Sequence, residues 1–230
     1  RPPASARRKS LARKAIDPML SRRTLIAALA MGALVAFGGA ANADARQDAA
    51  RAFIATLADT AMATVAVKDI SDDERNRRFR TLFVDSFDLP EIGKLVLGRY
   101  WRIATPPQQR EFLRLFEDIQ VLTWAKRFKD YSGETLDIVA VHPDGELNVS
   151  VDSLIRRRKL DPIAVTWLVR KAGESFRVLD IKVEGASMAF THRSEYTSVI
   201  QSSGGQVEGL LTAMRRKIGQ MEADQSAAAR

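Results

Sequence analysis

The strongest constraint on the fold is the order in which two sequence periods follow one another. Apolar residues recur every three or four positions from Ala49 to about Lys129, which is typical of helices. After residues 131–133, apolar and polar residues alternate in four segments joined by short turns, and from Ser187 the helical spacing returns. Four consecutive strands joined this way predict a curved antiparallel meander, in one α+β domain packed by N-terminal and C-terminal helices.

Capping and turn signals predict where several elements begin and end. Residues 71–74 and 105–108 both have the pattern of a capping box, and the second includes a proline at the first helical position. We expect the helix after Thr105 to reach about Lys129 and the last helix to reach about Met221. Residues 142–145, His-Pro-Asp-Gly, predict the first hairpin turn.

Residues 1–43 have the three parts of an export signal. Arg22 and Arg23 end a basic stretch, residues 24–37 form an apolar run, and Ala43 ends an Ala-Asn-Ala cleavage pattern. The run is shorter than the roughly 20 residues that span a bilayer. We therefore expect cleavage after Ala43, or after Ala45 as second choice, and a periplasmic protein exported by the Sec or the twin-arginine route. A retained N-terminal anchor is the alternative.

The leader also suggests how the chain is organised. Met19 lies just ahead of the two arginines, so translation is expected to start there and residues 1–18 to be an upstream extension. Residues 44–222 are expected to form a single domain, and residues 223–230 a frayed tail. The chain has no cysteine, so that domain is held by its core without disulfides.

The net charge of +8 is unevenly distributed. Eight of the 36 Lys and Arg residues, and one of the 28 acids, lie in residues 1–43, which leaves the rest close to neutral. We therefore expect no nucleic-acid partner. The dense basic run of the remainder is Arg156-Arg157-Arg158-Lys159, at a strand end or turn. It is expected to contact lipid head groups or an acidic partner, or simply to be solvated.

The sequence offers few groups for catalysis. There is no Gly-x-Ser-x-Gly elbow, and His142 and His192 are expected in surface or capping roles. A zinc site would need several His or Cys ligands, so we expect no metal and no cofactor. Asp180 and Glu184 share a strand face if the strand is regular, which leaves a periplasmic hydrolase as an alternative function. Polar residues that alternate with apolar ones are typical of the outer face of a strand, so we expect both carboxylates to be solvated.

Apolar side chains are abundant on the predicted helices. The chain has ten Phe and three Trp residues, many of them on helical stripes. Such stripes either fill a core or line a cavity, and composition does not distinguish the two. A structural adaptor domain with a filled core is therefore a further alternative.

Several short motifs follow one another in order between about Asp48 and Ile218. They are Tyr100-Trp101-Arg102-x-Ala104-Thr105-Pro106-x-Gln108, Phe112 with Phe116, Tyr131-Ser132-Gly133-Glu134, Val178-Leu179-Asp180-Ile181-x-Val183-Glu184-Gly185-x-Ser187-Met188, Arg193 with Tyr196, and Gly204-Gly205-x-Val207. Together they resemble the MlaC or toluene-tolerance family of periplasmic lipid carriers. The resemblance gives the motifs structural roles: Gly185 forms a tight turn, Arg193 is a pairing residue and Trp101 anchors the long helix.

The resemblance implies a sheet and helices that enclose an apolar cavity for phospholipid acyl chains. It implies a carrier, not an enzyme, whose partners are an inner-membrane ABC transporter complex and an outer-membrane lipoprotein and porin complex. The HpnM branch, associated with hopanoids, stays open. The residues expected to bind lipid are Phe83, Phe87, Val96, Tyr100, Phe112, Phe116, Ile138, Val149, Val151, Val165, Trp167, Val178 and Met188.

Overall fold

Helices pack against an antiparallel sheet in residues 44–228, the part of the chain that the computed structural model describes. The helices are α1 (residues 44–64), α2 (Asp72–Ser86), α3 (Leu89–Leu97), α4 (Tyr100–Ile103), α5 (Pro106–Lys129), α6 (Met188–Ser202) and α7 (Val207–Ala228). The strands are β1 (Thr135–Asp144), β2 (Asn148–Arg157), β3 (Leu160–Ala172), β4 (Ser175–Val183) and β5 (Ala186–Ser187). The predicted export signal lies outside the described residues.

The sheet confirms the predicted α+β fold. Its strands lie in the order β1-β2-β3-β4-β5, each antiparallel to its neighbour. The two-residue β5 adds a fifth strand to the four expected. Register shifts interrupt the β1–β2, β2–β3 and β3–β4 ladders, and such bulges bend a strand and increase its twist.

The caps form largely as the sequence predicts. At the start of α5 the Gln108 amide donates to Thr105 Oγ1 at 3.4 Å, and the Thr105 amide donates to Gln108 Oε1 at 3.1 Å. At the start of α2 the Ser71 hydroxyl accepts from the Glu74 amide at 3.2 Å. The Glu74 side chain instead pairs with two arginines of its own helix, so this box is only half formed.

Two predicted boundaries are wrong. Strand β1 continues through Asp144, and the turn falls at residues 145–147. Pro143 is tolerated within β1 because this strand forms an edge of the sheet, where one row of amides has no partner strand. Helix α7 passes Met221 and continues to Ala228, since neither Gly nor Pro follows to end it.

The helices that follow α1 pack together and meet the sheet mainly at β4. Helix α5 contacts α2, α3 and α7, while α2, α3 and α6 contact β4. The Asp88 amide donates to the Val178 carbonyl at 3.0 Å, and the Arg177 guanidinium donates to the Val84 carbonyl at 2.6 Å. None of the helices within residues 44–228 is both long and apolar enough to cross a bilayer.

Candidate functional site

One face of the sheet is apolar in successive cross-strand rows. Val149, Val169 and Val178 form one row, because each pairs with the next across β2, β3 and β4. A second row contains Val151, Trp167 and Ile181. Further toward the β2–β3 turn lie the rows Ile138–Ser153–Val165–Val183 and Leu136–Ile155–Ile163. Side chains in one row share a face, so this surface presents a continuous apolar area.

Helix α1 covers one end of this face. Ala50, Ile54 and Leu57 form the buried stripe of α1 that the helical spacing predicts, and they pack with the sheet. The sheet residues in this contact are almost fully buried; they are Val149, Val151, Val169, Phe176 and Val178. We call these five residues the covered end.

The apolar face is less completely buried toward the β2–β3 turn. Seven of its side chains are half-buried, and we call them the half-open end: Leu136, Ile138, Ile155, Ile163, Trp167, Ile181 and Val183. Ser153 is buried among them, and its hydroxyl donates to the Val165 carbonyl at 3.0 Å. The same oxygen accepts from Trp167 Nε1 at 3.0 Å, which fixes the indole across the face.

A second apolar cluster lies among the helices. Phe83 and Phe87 of the α2 region have ring centroids 4.5 Å apart, and Phe112 and Phe116 of α5 have centroids 5.9 Å apart. Leu82 and Phe87 also pack against the sheet cluster. The end of α2 is therefore where the two clusters meet.

The predicted lipid-binding residues fall into these two clusters. Among the helices are Phe83, Val96, Tyr100, Phe112 and Phe116, and on the sheet are Ile138, Val149, Val151, Trp167 and Val178. Phe87 contacts both groups, Val165 is buried on the apolar sheet face between Ser153 and Val183, and Met188 is half-buried. Ile54 and Leu57 of α1 are missing from the predicted site, because their spacing indicates a buried stripe but not the sheet surface that it covers.

Two surface depressions lie at the margins of these clusters. One of about 430 Å³ lies between α6 and α7, and another of about 400 Å³ lies between α1 and Val141 of β1. Neither is lined by a residue predicted to bind lipid. Phe112, Val149 and Val151 are each 0% exposed, so close packing fills the interior around them.

The two candidate catalytic carboxylates hold the backbone in place. Asp180 is buried, which corrects the expectation that it is solvated: it accepts from the Ser187 hydroxyl at 2.5 Å and the Ala189 amide at 3.0 Å. It thereby fixes the start of α6 to β4, where a negative charge also suits the helix dipole. Exposed Glu184 accepts from the Ala164 amide at 2.6 Å.

The neighbours of His192 enclose most of its ring. Its side chain is 22% exposed, and its ring packs against Phe116 and Tyr196 with both centroid distances at 5.8 Å. Burial, and then the charge of Glu195, raises the pKa of Tyr196 above its usual value, so this phenol stays neutral. The surface or capping role predicted for His192 is therefore wrong, because an aromatic cluster of α5 and α6 encloses most of its ring.

Arg193 does not make the predicted pair within residues 44–228. Its guanidinium lies against Gly98, at the C-terminal end of α3, and 6.0 Å from the Phe190 ring centroid. A side chain at Gly98 would collide with it, since an added Cβ would come within 2.7 Å of Arg193 Nε. A cation at this helix end is favoured by the helix dipole. Gly185 forms the tight β4–β5 turn with a φ of 80°, as predicted.

The basic run lies at the β2–β3 turn, as predicted. Arg156 pairs with Asp137, and Arg157 donates to the Asp161 carbonyl at 2.6 Å. Arg158 and Lys159 are exposed and form no ion pair or hydrogen bond with any residue of the described chain. The four cations therefore divide into two that stabilise the hairpin and two that remain available.

Comparisons with known proteins connect this geometry to a family. The sequence matches the family described as "MlaC protein" over residues 47–216. The fold is similar to a solved phospholipid-binding protein from Ralstonia solanacearum, determined in complex with a phospholipid. The TM-score is 0.66 at 23% sequence identity, and the match covers 74% of this chain and 97% of that one.

Proposed function

Because this chain belongs to the MlaC family, we propose that it is a lipid carrier, whose acyl-chain site is the half-open end of the sheet. The observation that carries the proposal is an apolar sheet face that the chain's own helices cover only in part. Ile163, Trp167 and Ile181 are half-buried there, whereas Val149 and Val178 at the covered end are 0% exposed. The Ralstonia solanacearum protein of the same fold supports a phospholipid as the ligand.

The lipid's acyl chains lie along the half-open end, and its head group stays in water. The interior is closely packed, so the chains enter by displacing mobile side chains or by moving the helices away from the sheet. Phe87 and Leu82 contact both clusters, so such a movement separates these two side chains from the sheet first. Ser153 and Trp167 keep their mutual hydrogen bond, so lipid leaves no buried polar group unpaired.

The energetics of lipid burial require partner proteins. Two acyl chains expose about 30 methylenes, and at about 0.8 kcal/mol each the transfer from water is favourable by about 24 kcal/mol. This exceeds any realised affinity, so release into water does not occur on a useful timescale. In a bilayer the chains are equally dry, so exchange between carrier and membrane is nearly balanced. Direction then comes from the partners: an inner-membrane ABC transporter complex and an outer-membrane lipoprotein and porin complex.

We propose a periplasmic location, because residues 1–43 have the sequence pattern of an export signal. The ligand is a phospholipid or, if the chain belongs to the HpnM branch, a hopanoid. A hydrolase that uses Asp180 and Glu184 gains no support, because both carboxylates are engaged by backbone amides.

Mass spectrometry of organic extracts from the natively exported protein tests the proposal. A co-purifying diacyl phospholipid is the expected result, and a co-purifying hopanoid would identify the HpnM branch. A matched extract of another periplasmic protein purified in the same way controls for carry-over. Protein that is consistently empty would contradict the carrier and favour an adaptor domain with a filled core.

A further inference from the structure

The tip of the β2–β3 hairpin combines free cations with an exposed apolar side chain. Arg158 and Lys159 form the turn, and neither has a partner among the described residues. Leu160, which follows them, is 63% exposed. We propose that this tip docks on an anionic lipid surface, with Arg158 and Lys159 against the phosphates and Leu160 inserted beneath them.

The hairpin is built to present these three side chains together. Arg157 pairs directly with Leu160 across the ladder, so the turn contains just two residues, and Lys159 has a φ of 61°. Arg156 pairs with Asp137, which ties β2 to β1 near the tip. A short, fixed turn loses little conformational entropy when it binds a surface.

The charge at the tip favours an anionic partner. Asp137 neutralises Arg156, and Asp161 is the acid of the hairpin nearest to the turn, so the cations of residues 156–159 keep an excess of positive charge. The rest of the chain after residue 43 is close to neutral, so this excess is a local feature. Each free cation near an anionic membrane strengthens binding about fivefold at moderate salt.

The neighbouring hairpin provides a natural comparison. Leu147 in the β1–β2 turn is 65% exposed, nearly the same as Leu160. Its neighbours include Asp144 at the end of β1 and Glu146 in the turn, whose charges an anionic surface repels. Both hairpin tips therefore expose a leucine, but only the leucine of the β2–β3 tip has basic residues beside it in the turn.

A bilayer fits the β2–β3 tip better than an acidic protein does. The tip is a convex two-residue turn, which a soft interface accommodates without a matching groove, and Leu160 gains little from an acidic protein surface. The tip also lies at the same end of the sheet as Ile155 and Ile163 of the half-open end. If the proposed function holds, docking brings the acyl-chain site to the membrane, and lipid exchanges without crossing water.

Vesicle sedimentation tests the docking surface. The exported protein is mixed with phosphatidylcholine vesicles, or with vesicles in which about a third of the lipid is phosphatidylglycerol, at low and high salt. We expect binding to the anionic vesicles, weakened by salt. Arg158→Gln with Lys159→Gln should lower the partition coefficient about 30-fold, and Leu160→Ser about tenfold.

Matched variants control for charge and for apolar exposure. Arg216→Gln with Lys217→Gln on α7 removes the same charge from another exposed site, and Leu147→Ser removes an equally exposed leucine. Both should leave vesicle binding within about twofold of the parent protein. Thermal melting should be unchanged in all four variants, because every substituted side chain is exposed.

Failure of the parent protein to bind anionic vesicles overturns the docking proposal, as does an equal loss in the control variants. If vesicles do not bind but the tip variants still impair lipid delivery in cells, the tip serves an acidic protein partner instead. The extraction experiment is independent of this one. Protein that binds vesicles but carries no lipid contradicts the carrier and leaves the docking surface standing, and the reverse result contradicts docking alone.

Discussion

The covered end and the half-open end belong to the same apolar face but have different neighbours. At the covered end, Val149 and Val169 lie under α1 and are 0% exposed. At the half-open end, Ile163 and Trp167 keep part of their surface in contact with solvent. The first arrangement contributes stability, because burial of apolar area is complete there. The second leaves apolar area that a ligand can still bury, which is what a carrier requires.

The largest expected effect on stability comes from substituting one isoleucine at each end. Ile54→Ala in α1 removes a side chain that is 1% exposed and should lower the free energy of unfolding by about 2–4 kcal/mol. Ile181→Ala at the half-open end should cost about 1 kcal/mol, because its side chain is only half-buried. Urea unfolding of lipid-free protein measures both.

Lipid content should rank these two variants in the opposite order. Folded Ile181→Ala protein should retain less co-purified lipid than folded Ile54→Ala protein, because Ile181 belongs to the proposed acyl-chain surface. If Ile54→Ala loses more lipid while Ile181→Ala is the less stable protein, the assignment of the two ends is reversed.

A smaller effect tests how the half-open end keeps its shape. Ser153 and Trp167 share a hydrogen bond of 3.0 Å on the face where lipid is proposed to lie. A double-mutant cycle with Ser153→Ala and Trp167→Phe should give a coupling free energy of about 1 kcal/mol. Thermal or urea unfolding of the four proteins measures it. Additive effects would mean that the indole is not held by this contact.

The sequence predicts local structure well where the signal lies within a few residues. The Thr105 capping box and Ser187 mark the starts of α5 and α6, since each is the N-cap of its helix in the fold. Alternation identifies the long strands because the side-chain period of two holds along each of them. The basic run is placed at a turn for the same local reason.

Features that depend on distant packing could not be predicted in this way. The stripe of Ile54 and Leu57 shows that α1 is amphipathic but not that it covers Val149 and Val151, almost 100 residues away. Asp180 looks solvated in an alternating strand, yet residues that follow β4 fold back onto its carboxylate. The division of the predicted lipid-binding residues into two clusters likewise depends on how helices and sheet meet.

Photolabelling with a phospholipid that carries a photoactivatable group on one acyl chain tests the central claim most directly. Protein loaded with this lipid is irradiated and digested, and the labelled residues are identified by mass spectrometry. The account predicts adducts at the half-open end, on Ile163, Trp167 or Ile181, and few at Val149 or Val178 beneath α1. Labelling confined to residues outside the half-open end would contradict it.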